Sequence, residues 1–212
     1  VTMIGVGWNF PVLSGGGEEG YASNDIEAFK GEELYVNLAR ETCQNSLDAR
    51  VPNSNEPVLV KFELREFDVA AYSFFTQYKE CIKNCRKYWN SRPDGIPDRL
   101  EHLLNKAHRA ISADKISALI VSDYNTPGLL GSKSKPMSGS FNALVYAEGV
   151  SYKKSDTSAG SFGIGRNAPF ACSALSCVCY NTKATDGGQA FAGVAKLATT
   201  LNSDSKPTRK QG

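Results

Sequence analysis

Glu41, Asn45 and Asp48 stand four and three residues apart, a spacing that brings all three to one face of a helix. A carboxylate, an amide oxygen and a second carboxylate on one face can hold a hard cation and orient a water for hydrolysis. The same spacing also suits an amphipathic helix whose polar face is merely wet. Leu34, Leu38 and Leu47 supply the apolar positions that predict the helix itself.

Two further runs bear on the choice. Asp123 follows an apolar run and opens the turn Asp123, Tyr124, Asn125, Thr126, Pro127, Gly128. A carboxylate at the end of a buried strand can point into a pocket and accept a hydrogen bond from an exocyclic amine such as that of adenine. It can equally well cap its own turn. Later, Gly160, Ser161, Phe162, Gly163, Ile164, Gly165 and Arg166 precede a short helix expected from about Asn167. Glycine N–H groups there can converge on phosphate oxygens, with a helix N-terminus behind them and Arg166 as a fixed positive charge. Gly15, Gly16 and Gly17 lack the Gly-Lys-Ser/Thr that would make them a P-loop, and read as a turn.

The elements that must position these runs follow from periodicity. Residues 25–50 read as largely helical, and 52–57 as a turn-rich break. Residues 58–67 alternate through Val58, Val60, Phe62 and Leu64 and predict a strand. Phe74, Phe75, Tyr78, Ile82, Cys85 and Trp89, then Leu100, Leu103, Leu104 and Ala107, predict a helical hairpin over 69–113, with Pro93 and Gly95 at its turn. Its aromatic stripe reads as core. Residues 116–122 form a continuous apolar run and predict a buried strand. Residues 129–159 are rich in Gly, Ser and Lys and predict a long mobile loop, which in a compact domain is usually functional. Residues 176–182 and 190–197 predict a closing hairpin around Asp186, Gly187 and Gly188.

The chain of 212 residues suits one sizeable domain with a real core. A formal charge of +2 gives no argument for nucleic acid or a membrane surface, and no apolar run reaches the length of a membrane span. No signal-peptide pattern opens the chain. The first residue is Val1 rather than Met, which suggests a cut or processed start. Residues 203–212 are polar and basic and are expected to be a frayed tail or a linker to a further segment. Among the six cysteines, Cys81 and Cys85 lie one helical turn apart, but no Cys-x-x-Cys pair occurs, and His102 and His108 lack ligand spacing. Buried, reduced thiols in a cytoplasmic protein fit this usage better than a zinc site.

Taken in order, the three runs resemble the GHKL superfamily of ATPases, which includes DNA gyrase, MutL, heat-shock chaperone ATPases, sensor histidine kinases and MORC proteins. The run from Glu41 to Ala49 resembles the N box, Asp123 to Gly128 the first glycine box, and Gly160 to Gly165 the second. The last is closest to the chaperone and bacterial MORC-like branches. The resemblance implies an α+β fold of Bergerat type, a two-layer α/β sandwich with a mixed sheet and helices on one face. In it the nucleotide would lie between helices and lid. It divides the chain into an irregular segment 1–24, an ATP-binding domain 25–202 with a helical hairpin insertion at 69–113 and an ATP lid at 129–159, and a polar tail or linker 203–212.

The resemblance also assigns roles. Glu41 would be the general base for the attacking water, and Asn45 would hold Mg2+. Asp48 and Ala49 would face the nucleotide. Asp123 would hold the adenine amine, and Gly128 would let the backbone approach the base. Gly160, Gly163 and Gly165, with Ser161, Phe162, Ile164 and Arg166 in the same run, would wrap the phosphates. Histidine kinases usually lack a hydrolytic Glu at the position of Glu41, so its presence favours an ATPase. The usual Asp-x-Gly-x-Gly departs here: Asn125 replaces a glycine, and the turn is one residue longer. The implied function is slow, Mg2+-dependent ATP hydrolysis that times a dimerisation switch, with 1–24 as a possible strap to a partner subunit. Two other functions fit: a nucleotide sensor without useful turnover, or the ATPase module of a DNA-acting, MORC-like defence protein. In the latter, DNA or other subunits would bind through further domains.

Overall fold

The computed structural model describes residues 7–13, 19–21, 33–134, 138–146 and 167–212. Its elements in chain order are α1 (Leu34–Asp48), β1 (Leu59–Asp68), a 3-10 turn (Val69–Ala71), α2 (Ser73–Asn90), α3 (Asp98–Ile111), β2 (Lys115–Tyr124), α4 (Gly139–Val145), α5 (Ala168–Cys172), β3 (Cys177–Lys183) and β4 (Gln189–Ala195). The fold is α+β. Among the described residues the strands form two antiparallel ladders, β1 with β2 and β3 with β4, so the expected mixed sheet is not seen there. The segment after β2 reaches the β3–β4 ladder, where Leu129 N donates to Thr182 Oγ1 and Thr185 N to the Pro127 carbonyl, both at 2.9 Å. None of the described helices is long and apolar enough to cross a membrane.

The helical hairpin is the main core. On α2 the buried residues are Phe75, Tyr78, Ile82, Cys85 and Trp89; on α3 they are Leu100, Leu104, Ala107 and Ile111. Steps of three and four keep each set on one stripe, and the two stripes face each other. Gly95 takes a left-handed φ of 68° at the turn between them, a conformation that favours glycine. The pair packs on residues 195–198, where Ala195, Leu197 and Ala198 are fully buried. Trp89 Nε1 donates to the Thr199 carbonyl at 2.9 Å, and the Tyr78 hydroxyl donates to that of Leu175. The hairpin is therefore built into the centre of the fold.

β2 departs from expectation. It is not a buried strand: its residues alternate between half-buried and exposed up to Ile120, and none is fully buried. In the register Phe62↔Val121 and Leu64↔Leu119, one face of the ladder gathers Phe62, Leu64 and Leu119, all exposed. The other face carries Ile116, which packs on the helical core. The helical core thus meets this ladder at its Ile116 end, while Lys61 and Arg65 on the same face stay exposed.

The loop expected over 129–159 also differs where it is described. Residues 139–145 form α4, because Phe141 and Val145, one turn apart, bury themselves against Phe170, Ala171 and Val194. Buried Asn142 donates from Nδ2 to the carbonyls of Gly131 and Ser138, each at 2.7 Å. Gly131 and Gly139 touch back to back: a Cβ on Gly131 would lie 2.2 Å from the Ser138 carbonyl oxygen. Only glycine permits that approach.

Both ends differ as well. Residues 203–212 are not a frayed tail. They return along 195–201, with Thr208 N donating to the Thr200 carbonyl and Leu197 N to that of Lys210, both at 2.8 Å. The described parts of 1–24 join the same assembly. Trp8 packs on Tyr78 with ring centroids 5.1 Å apart, and Val12 pairs with Thr208.

Candidate functional site

α1 buries a stripe of unusual chemistry. Leu38 and Ser46 are buried, Leu34 and Thr42 half-buried, and Leu47 is 57% exposed, so Leu47 is not part of the packed face that the sequence suggests. The two hydroxyls in the stripe are satisfied locally. Thr42 Oγ1 donates to the Leu38 carbonyl at 2.8 Å and Ser46 Oγ to that of Thr42 at 3.0 Å, the back-bonding available to Ser and Thr within a helix.

Glu41, Asn45 and Asp48 do share this helix. Glu41 is half-buried, while Asn45 and Asp48 are exposed. Gln44 Nε2 donates to Asp48 Oδ1 at 2.7 Å. Ala49 terminates the helix, its N–H donating to the Asn45 carbonyl at 3.1 Å. α1 packs against α5, the helix that follows the glycine-rich run in the chain.

The second group lies in the turn after β2. Asp123 sits opposite Val60 in the ladder and is exposed; the burial expected around its carboxylate is missing because β2 itself is only half covered. Asn125 adopts a left-handed φ of 62°, which Asn tolerates better than most residues. Its Nδ2 donates to the Pro57 carbonyl at 2.8 Å, closing the turn onto the start of β1. Gly128 is left-handed at 70°, and a Cβ there would stand 3.0 Å from Ala184 Cα. The close backbone approach at Gly128 is thus toward β3. Gly160, Ser161, Phe162, Gly163, Ile164, Gly165 and Arg166 lie outside the described residues.

One charged residue escaped the sequence reading. Lys196 is 6% exposed and Asn167, at the start of α5, is 7% exposed. Lys196 Nζ donates to Asn167 Oδ1 at 2.8 Å and lies 4.8 Å from the centroid of the Phe170 ring. The signal was a single lysine within the apolar stretch 190–197.

The thiols are all free. Burial pushes Cys81 up to about 11 and Cys85 up to about 12. Cys177 donates a hydrogen bond to Cys179, which raises the first thiol and lowers the second. Among the described residues no group of three or more His, Cys, Asp or Glu side chains is placed to hold a metal ion, so Cys81 and Cys85 gain no further ligands of those types there.

No protein-family model, no curated protein and no solved structure matches the chain.

Proposed function

We propose that this chain binds ATP with Mg2+ and hydrolyses it slowly, as a GHKL-type, Bergerat-fold switch whose ATP-bound form pairs with a second copy. The observation that carries the reading is the polar face of α1. Glu41, Asn45 and Asp48 stand on one formed helix, and that helix packs on α5, which follows directly from Gly160 to Arg166 in the chain.

The donor set suits Mg2+. This ion keeps several waters and takes phosphate oxygens, so it needs few protein ligands. An exposed amide such as Asn45 can supply one of them. When bound, the ion would neutralise charge on the phosphates. Glu41, half-buried on this face, would accept the proton of the attacking water. Asp123 and the Asn125 turn would receive the adenine, and Gly160 to Arg166 the phosphates. The exposure of Asp123 means that the base would be covered on binding rather than enter a closed cavity.

Calorimetric titration of the chain with ATP and Mg2+ tests this directly. The wild type is expected to bind and Asp123→Asn to lose about tenfold or more in affinity, the cost of a buried hydrogen bond to the ligand. Glu41→Ala is expected to keep binding and lose turnover by about 100-fold or more. A wild type that binds no ATP, or a Glu41→Ala variant with normal turnover, overturns the assignment.

A further inference from the structure

A buried ammonium is costly unless its surroundings repay the lost hydration. Lys196 has such surroundings, and they are specific. Its backbone is held on both sides, Lys196 N donating to the Ser176 carbonyl at 2.9 Å while the residue pairs with Gln211. Its side chain then crosses to α5, where it meets Asn167 Oδ1 at 2.8 Å and the face of Phe170 at 4.8 Å. An amide acceptor and an aromatic face are both favourable partners for a desolvated cation. Lys196 sits where the two cores adjoin: Val194 belongs to the core with α4 and α5, whereas Ala195 and Leu197 belong to the core with α2 and α3.

We propose that Lys196 is a positioning residue for the proposed nucleotide site. By fixing Asn167 and Phe170 it sets the seat of α5 against α1, and hence the placement of the helix that bears Glu41 and Asn45. The inference rests on the ATP reading. A lysine serving only to fill space would be replaceable by methionine, which has similar length and no charge to desolvate, at the cost of leaving the buried Asn167 amide oxygen without this donor. A positioning lysine is told apart by ligand affinity, which falls in a variant that still folds, whereas a space-filling lysine leaves the affinity of the folded variant unchanged.

The test compares the full chain with Lys196→Met, Lys196→Arg and Asn167→Ala, measuring ATP–Mg2+ affinity by calorimetry and unfolding by urea. The expected result for Lys196→Met is a chain that still folds, with a urea midpoint below that of the wild type, and ATP bound about tenfold more weakly. Asn167→Ala, which severs the same link from the other side, is expected to weaken ATP similarly. Lys196→Arg keeps charge and donors and is expected to recover affinity to within about threefold of wild type. Wild-type binding together with unchanged affinity in folded Lys196→Met overturns the inference alone. If Lys196→Met fails to fold, Asn167→Ala decides on the same criterion; if neither folds, Lys196 is a core residue first and the inference falls. A wild type that binds no ATP overturns the ATP reading and this inference together.

Discussion

The cysteines show how far side-chain chemistry depends on neighbours two residues away. Cys177 and Cys179 share one face of β3, and the hydrogen bond between them makes Cys179 the acceptor, so its thiolate is favoured. Cys179 is exposed, whereas Cys85 is buried in the core. Thiolate fraction and access together govern alkylation. Iodoacetamide at about pH 8 is therefore expected to label Cys179 well before Cys81 or Cys85, as peptide mass spectrometry would read; earlier labelling of Cys85 would contradict the packing of α2 on residue 198. Legibility at this scale was uneven. The face of Glu41, Asn45 and Asp48 followed from spacing alone, since helix geometry fixes it once the helix forms. The left-handed turn at Asn125 was legible because few residue types accept that conformation. The exposure of Asp123 and Leu47 was not legible, because it depends on what covers a strand or helix from elsewhere in the chain. Lys196 was invisible for the same reason: its acceptor is 29 residues away.

Elements with strong periodicity were the most legible. The α2–α3 pair follows its apolar stripe, and the β3–β4 ladder follows the Asp186, Gly187, Gly188 turn, where Gly187 takes a left-handed φ of 79°. α4 was missed because only Phe141 and Val145 mark its buried side, within a stretch dominated by Ser, Gly and Lys; its anchor is the amide of Asn142. The same region is held by the β3–β4 turn. Asp186 accepts hydrogen bonds from Gly131 N at 2.9 Å and Gly188 N at 2.8 Å. The Gly131 and Gly188 N–H groups, helped by Lys133, hold its carboxyl below the usual range. A carboxyl depressed in the folded state stabilises the fold at pH above its unfolded value and loses that contribution as pH falls through the folded value. Asp186→Asn is accordingly expected to have a lower urea midpoint than wild type near neutrality. The difference should shrink as the pH drops below about 4. A gap that stays constant down through the acid range would mean that the contact with Gly131 is not what Asp186 contributes.

At the scale of the molecule the described residues from the two ends of the chain pack together. Residues 195–201 form a spine between the helical pair and the returning segment 207–212, and residues 11–13 and 20–21 complete the other side. Leu13 N donates to the Pro207 carbonyl at 2.8 Å, Arg209 N to that of Pro11 at 2.7 Å, and Thr199 N to that of Gly20 at 2.8 Å. Composition could not show this, since a polar, basic stretch reads as solvent-loving whether it frays or pairs through its backbone. Backbone pairing needs no apolar side chain, and Thr208, 2% exposed, is the only fully buried residue within 203–212. Truncation after residue 203 separates the two descriptions. A frayed tail could be removed without effect on unfolding. The paired segment instead contributes the bonds of Thr208 N to Thr200, Leu197 N to Lys210, and the exchange between Ala195 and Gly212. At about 1 kcal/mol net for each backbone hydrogen bond, their loss is expected to cost about 2–5 kcal/mol, a large share of the stability of a domain this size. The truncated chain should therefore unfold at a clearly lower urea concentration and show lost near-ultraviolet signal from Trp8 and Trp89, whose surroundings rest on the spine. An unchanged midpoint would return residues 203–212 to the status of a linker and leave the buried spine to be covered by some other part of the chain.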